Sequence, residues 1–188
     1  INVEIYIMMS KNTLPLKILI VLFISQFNNL KAQTSTPCSV PSNSYGNIVY
    51  MASVSTSGAL SDLNYSNSTQ GSLVDYTNTY LLEAETNSNI TFTYVPGYYQ
   101  TESALYIDLD DDGQYESDEL LDYTAHSTNY PPTFSVTIPE NTGTFHMRLL
   151  MDYYGSGAAN GDADLPNTGC PSVAYYANHH DLKITISE

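Results

Sequence analysis

The sequence is poor in positive charge. Its 188 residues hold five Lys/Arg against 20 Asp/Glu, for a formal charge of −15. Three of the five bases, Lys11, Lys17 and Lys31, fall within the first 33 residues. Beyond them Arg148 and Lys183 alone face 19 acids, so that part carries −17. Without a Lys/Arg patch the chain has nothing to neutralise phosphates, which argues against nucleic-acid binding and against anionic membrane surfaces. Trp is absent and Phe numbers five, so the 17 tyrosines supply most of the aromatic area. With 42% hydrophobic residues the chain has enough apolar surface to bury, and disorder is not expected. No stretch sustains a 3.6-residue hydrophobic period with caps, which removes the usual sign of helices. The length fits one domain with a short appendage. Many acids with few bases require counter-cations.

From Met8 or Met9 the chain reads as a basic start (Lys11, Lys17), an apolar run Ile18–Ile24, and a small residue, Ala32, near the end. This is the pattern of a secretory signal peptide, with cleavage expected near Ala32. The apolar run falls well short of the roughly 20 residues that a membrane span needs. The seven residues before Met8 are read as upstream material. The expected organisation is therefore 1–32 as signal peptide and 33–188 as one domain. A lipoprotein anchor is not expected, because Cys38 follows Ser35-Thr36-Pro37. The expected location is secreted, extracellular or at a bacterial cell surface. In an oxidising compartment the even count of cysteines, Cys38 and Cys170, favours a disulfide over two buried thiols.

Segments of β character recur at Ile48–Val54, Thr79–Glu83, Ile90–Val95, Ala104–Leu109, Phe134–Ile138, Thr144–Met151 and Leu182–Ile186. Ile90–Val95 and Phe134–Ile138 alternate apolar with hydroxyl residues, the period-2 sign of half-buried strands. Pro96-Gly97, Asp112-Gly113, Pro131-Pro132 and Gly155-Ser156-Gly157 interrupt them. About seven or more short strands predict an all-β fold, an antiparallel β-sandwich of jelly-roll or Ig-like type. The Ser/Asn/Thr-rich stretch Ser53–Thr79 is expected to hold loops and an irregular edge strand.

The most informative segment is Asp108–Glu119, which matches D-x-D-x-D-G-x5-E at every position. Calcium takes six to eight oxygens. Asp108, Asp110 and Asp112 offer carboxylates from alternate positions, and Gly113 permits the sharp turn. The Gln114 carbonyl adds a ligand, Glu116 stands where a side chain acts through water, and Glu119 can close the shell. Ala104–Ile107 reads as a strand, so the loop is expected to cap a sandwich and not to join EF-hand helices. The alternative is a hairpin turn at Asp112-Gly113 with a solvated acidic tip. Magnesium suits the site less, since it prefers fewer carboxylates and more waters. Gly161–Asp164 reads first as a polar loop; the alternative is that Asp162 and Asp164 supply further ligands, with Asp152 converging on them and Asp181 as another candidate.

The chain resembles the GEVED domain, an extracellular module of Bacteroidetes-type secreted proteins. Cys38 resembles the family's early Cys, and Tyr106–Tyr115 its strand and acidic loop. Gly143–Leu149 resembles its Arg-bearing strand, and Cys170 with Asp181–Ile186 its ending. The resemblance spans about residues 38–186. Ala177–Asp181 stands where the family has Gly-Glu-Val-Glu-Asp, so only Asp181 matches. The resemblance implies a β-sandwich attached to secreted peptidases and adhesin-like proteins, and implies no catalysis by the module.

Catalytic patterns are sparse. His126, His146, His179 and His180 show no zinc spacing, and no Gly-x-Ser-x-Gly elbow occurs. His179 and His180 are adjacent and would point to opposite faces of a strand. His180 and Asp181 are expected to form a surface or edge-strand pair. The tyrosine pairs Tyr98-Tyr99, Tyr153-Tyr154 and Tyr175-Tyr176 are expected mostly to fill core and rim, although exposed rings can stack on sugars. The expected function is a non-catalytic, calcium-binding adhesion or recognition module with a glycan or protein ligand. The alternative is an accessory domain of a secreted peptidase or other hydrolase.

Overall fold

The computed structural model describes residues 35–41, 50–67, 73–97, 101–124, 131–153, 165, 167–172 and 176–188. The chain separates into two compact units, Ile1–Leu30 and Lys31–Glu188, and all described residues belong to the second. The expected signal segment, His126, Asp162, Asp164, Tyr98, Tyr99, Tyr154 and Tyr175 lie outside the described residues.

The described residues form ten strands and no helix: β1 (Met51–Ser57), β2 (Asn64–Ser66), β3 (Leu73–Asp75), β4 (Leu81–Glu85), β5 (Asn89–Pro96), β6 (Thr101–Ile107), β7 (Leu120–Thr124), β8 (Thr133–Thr137), β9 (Gly143–Tyr153) and β10 (Asn178–Ser187). They make the expected β-sandwich. One sheet has the order β2-β1-β5-β8; the other runs β3-β10-β9-β6-β7, with β4 also paired to β10. Among the described residues no helix is long and apolar enough to cross a membrane.

The hydroxyl-alternating strands behave as their pattern demands. In β5, Ile90, Phe92 and Tyr94 are buried while Thr91 and Thr93 are half-buried, and in β8 Phe134 and Val136 are buried between exposed hydroxyl residues. These side chains meet Leu105, Ile107, Met147, Leu149, Leu182 and Ile184 of the other sheet in one core. Each fully buried side chain of this size stabilises by roughly 1.5–3 kcal/mol.

Two features depart from the expectation. The second sheet is mixed, not wholly antiparallel. Along one edge of β10, β3 pairs in parallel with His179–Asp181 and β4 in parallel with Lys183–Ser187. Two short strands thus share one long neighbour, and parallel pairing needs a crossover that local sequence does not encode. The second departure concerns three strands without a segment of their own in the sequence: β2 and β3 fall within Ser53–Thr79, where one irregular edge strand is expected, and β7 has no counterpart. β2 and β3 have three residues each, too few to display a period. β7 pairs antiparallel with β6, but its Leu120–Thr124 is half-buried throughout and shows no alternation.

Strand β6, β9 from Phe145 on and β10 as far as Leu182 are largely buried on both faces. Their second face is covered by the Ser35–Pro41 arm, Tyr115 and the segment ending at Cys170, with Ala104, Tyr106, Tyr115, Cys38 and Cys170 packed together. Cys38 and Cys170 form the expected disulfide, with Cα atoms 5.9 Å apart and 132 residues between them.

Candidate metal centre

The acidic loop joins β6 to β7. Its neck is closed where Ile107 N–H donates to the Glu119 carbonyl at 3.1 Å, and Asp108 N–H donates to the His146 carbonyl at 3.0 Å. Asp108 is therefore fixed at the end of a central strand, and its side chain is fully buried. Its carboxylate accepts from Asp111 N–H at 2.8 Å, Gly113 N–H at 3.1 Å and the Ser35 hydroxyl at 3.2 Å. Asp110 and Asp112 each accept the backbone N–H two residues on, at 3.2 and 2.7 Å. These side chain-to-backbone bonds fold the loop back on itself.

The backbone must turn sharply to do this. Asp111 has φ +66° and Gly113 φ +84°, and Asp is one of the few residues besides Gly that tolerates the left-handed region. Gly113 is required twice over, because a Cβ there would lie 2.4 Å from the Thr36 carbonyl oxygen. The arm runs that close because Cys38 N–H donates to the Gly113 carbonyl at 2.7 Å and Ser35 N–H to the Asp111 carboxylate at 2.9 Å.

Carboxylate oxygens of Asp108, Asp110 and Asp112 come within 4.8 Å of one another, so this group could hold a metal ion. Among the described residues no other group of three His, Cys, Asp or Glu side chains does so. Glu116 and Glu119 are not brought into it. Glu119 is buried, and its two oxygens accept from Leu109 N–H at 2.7 Å and Glu116 N–H at 3.4 Å. Burial above all pushes the Glu119 carboxyl up to about 7; the two backbone donors oppose this, while Glu116 and the Asp108 charge add to it. Carboxylate oxygens have two lone pairs each, so Asp108 and Glu119 keep acceptor capacity beyond these hydrogen bonds. The chemistry fits a hard cation: oxygen donors only, with one buried carboxylate and two exposed ones.

Beside the loop lies a buried ion pair whose partners could not be read from spacing. Arg148, fully buried on β9, clamps Asp181 of β10 side-on, Nε to Oδ1 at 2.6 Å and Nη2 to Oδ2 at 2.8 Å. Its other donors reach the Gly169 carbonyl, the Cys38 carbonyl and the Cys38 sulfur at 2.8–2.9 Å. The guanidinium carbon lies 4.7 Å from the Tyr115 ring centroid. Asp181 is thus bound to Arg148 and not to the acidic loop. The expected surface or edge-strand pair of His180 and Asp181 is corrected: β10 is paired on both sides, and both side chains are buried, His180 against Tyr65 and Asn67 and Asp181 with Arg148 under the segments that cover the other face. His180 sits within the sandwich, its Nδ1 2.9 Å from the Tyr65 hydroxyl and its Nε2 3.2 Å from the Asn67 amide nitrogen. Asp152 is buried on β9, its carboxylate accepting Tyr153 N–H at 2.7 Å.

Compared with known proteins, the chain matches no family model and no curated protein.

Proposed function

We propose that the chain is a secreted, non-catalytic β-sandwich module of GEVED type whose acidic loop binds calcium, and that it serves adhesion or recognition at a cell surface. The observation that carries this reading is the convergence of the Asp108, Asp110 and Asp112 carboxylates within 4.8 Å around a turn that only Gly113 permits. In the proposed site those three carboxylates and the Gln114 carbonyl bind the ion, and Glu119, directly, and Glu116, through water, join the shell only when the bound ion draws them toward the three-carboxylate group. Calcium would offset repulsion among carboxylates that the fold forces together. The disulfide supports an oxidising compartment, as does the leader-like start of the chain.

Thermal melting of the purified chain, stripped of metal and then titrated with calcium, tests the reading. At a calcium concentration 100 times Kd, stability rises by about 2.7 kcal/mol, which lifts Tm by several degrees. Asp108→Asn/Asp110→Asn removes the shift. An unchanged midpoint in metal-free protein would sink the calcium reading, and a magnesium shift as large as the calcium one would reassign the ion.

A further inference from the structure

A second polar feature lies on the outer face of the mixed sheet, away from the acidic loop. β9 and β10 place Thr144 opposite Thr185 there, and β4 places Leu81 opposite Lys183. The turn that carries Thr77 and Asn78 walls these rungs and leaves a pocket of about 290 Å³. Lys183 is one of only two Lys/Arg among the described residues, and the other, Arg148, is consumed by Asp181. Lys183 forms no ion pair among the described residues. The hydrogen bond from the Thr77 hydroxyl, at 2.7 Å, chiefly holds the Asp75 carboxyl below its usual range, and the Lys183 ammonium adds a small part; burial and then the same ammonium lower the His146 pKa.

The donor set selects a ligand chemistry. Phosphate sites favour forked Arg, backbone nests or helix N-termini, and the pocket offers one ammonium. Its remaining polar groups are hydroxyls and one amide, which donate and accept, and so suit a ligand that itself carries hydroxyls. Thr144 and Thr185 share one hydrogen bond at 2.9 Å and keep lone pairs for a further partner. Leu81, 44% exposed, gives an apolar wall against which C–H groups can rest. The volume lies at the small end for ligand pockets, a scale for one ring and not for a long chain. The strongly acidic surroundings repel polyanions and tolerate a single carboxylate only beside the cation. From this geometry we infer that the Lys183 pocket binds a singly charged, carboxylate-bearing sugar residue of uronic-acid type, its carboxylate on Lys183 and its hydroxyls on Thr144, Thr185 and Asn78.

The inference deepens the recognition half of the proposed function and leaves the calcium half independent, since the pocket shares no residue with the acidic loop. Titration of the calcium-saturated chain with methyl glucuronide and, separately, methyl glucoside, followed by NMR shift perturbation, tests it. Saturable binding of the glucuronide at least tenfold tighter than the glucoside is expected, weakened at high salt. Lys183→Met, which keeps the apolar stem, should abolish the tenfold preference, and Asn78→Ala should weaken the glucuronide in a chain whose melting is unchanged. Equal binding of both glycosides, binding of neither, retention of the preference in Lys183→Met, or inorganic phosphate binding as tightly as the glucuronide would each overturn it. The calcium-dependent melting is read on the same sample, so failure of the pocket is distinguishable from failure of the metal site.

Discussion

Around Arg148 the two faces of the central strands β6, β9 and β10 are both buried, by opposite means. Toward the partner sheet, Leu105, Ile107, Met147, Leu149, Leu182 and Ile184 meet Ile90, Phe92 and Phe134 in a core of apolar side chains. On the other face a charged pair, a disulfide and two chain segments do the covering, with Arg148 at their centre. The first face holds by area removed from water, and many substitutions of similar volume would serve it. The second depends on specific partners, because a buried cation must have every donor met or it destabilises the fold. One face is tolerant and the other is all-or-none.

Breaking the Arg148 cluster separates the two most sharply. Arg148→Ala leaves Asp181 as an unpaired buried charge and the Cys38 and Gly169 carbonyls without their donor, and should cost about 3–5 kcal/mol. Adding Asp181→Leu should recover a large part of that loss, since apolar replacement of both partners is often near neutral. On the apolar face, Phe92→Ala should also cost about 3–5 kcal/mol, with no single second substitution expected to restore it. Denaturant melts of the four proteins measure this, and absence of rescue by Asp181→Leu would show that the ion pair is not what Arg148 contributes.

Replacing both cysteines, Cys38→Ser/Cys170→Ser, should come next. Opening a cross-link that spans 132 residues costs up to about 4–5 kcal/mol in the chain-entropy treatment, and engineered cases commonly give less. The apolar core is untouched by the change. The acidic loop is not, because Ser35 and Cys38 donate to Asp111, Asp108 and the Gly113 carbonyl. Calcium affinity should therefore fall together with stability, whereas Phe92→Ala should lower stability alone. Calorimetric titration at a temperature where all variants remain folded checks the difference, and equal affinities would uncouple arm and loop.

The same contrast explains what was legible in the sequence. Strands of the apolar face announce themselves by alternation, as in Ile90–Val95 and Phe134–Ile138, because burial on one side imposes a period of two. The acidic loop is legible because the D-x-D-x-D-G-x5-E spacing of its carboxylates and glycine lies within twelve consecutive residues. The arrangement around Arg148 is not, since its partners come from residues 38, 115, 169 and 181 and no local pattern encodes contacts at that separation. The doubly buried β9 carries His146, Arg148 and Asp152 outward, and these read as solvent-facing until the covering segments are in place. The parallel edge of β10 fails for the same reason: Leu73–Asp75 and Leu81–Glu85 acquire their pairing only through a strand some hundred residues on.

The apolar face is not wholly apolar, and pH is the lever that reaches one of its polar members, His180. The Asn67 amide nitrogen lies 3.2 Å from both the His180 Nε2 and the Met51 carbonyl. A carbonyl oxygen cannot donate, so the amide nitrogen is the donor in both contacts and His180 Nε2 is bare. Nδ1 then carries the proton and donates to the Tyr65 oxygen at 2.9 Å. A second proton on Nε2 would face an N–H donor within a dry core, and burial pushes the His180 pKa down to about 3. In the unfolded chain the ring titrates near 6.5. Between these values the unfolded state binds a proton that the fold refuses, so this contribution to stability is complete above about pH 6.5 and is lost as pH falls toward 3. The slope reaches about 1.4 kcal/mol per pH unit. Glu119 acts in the opposite sense, its raised pKa favouring the fold as pH falls through about 7, so the raw profile of the wild type mixes the two. Comparison with His180→Gln removes the shared part. Urea melts at pH 6 and pH 5, without calcium, should show wild type losing about 1.2 kcal/mol more than the variant over that unit. Parallel profiles would mean that His180 accepts its proton without leaving the core.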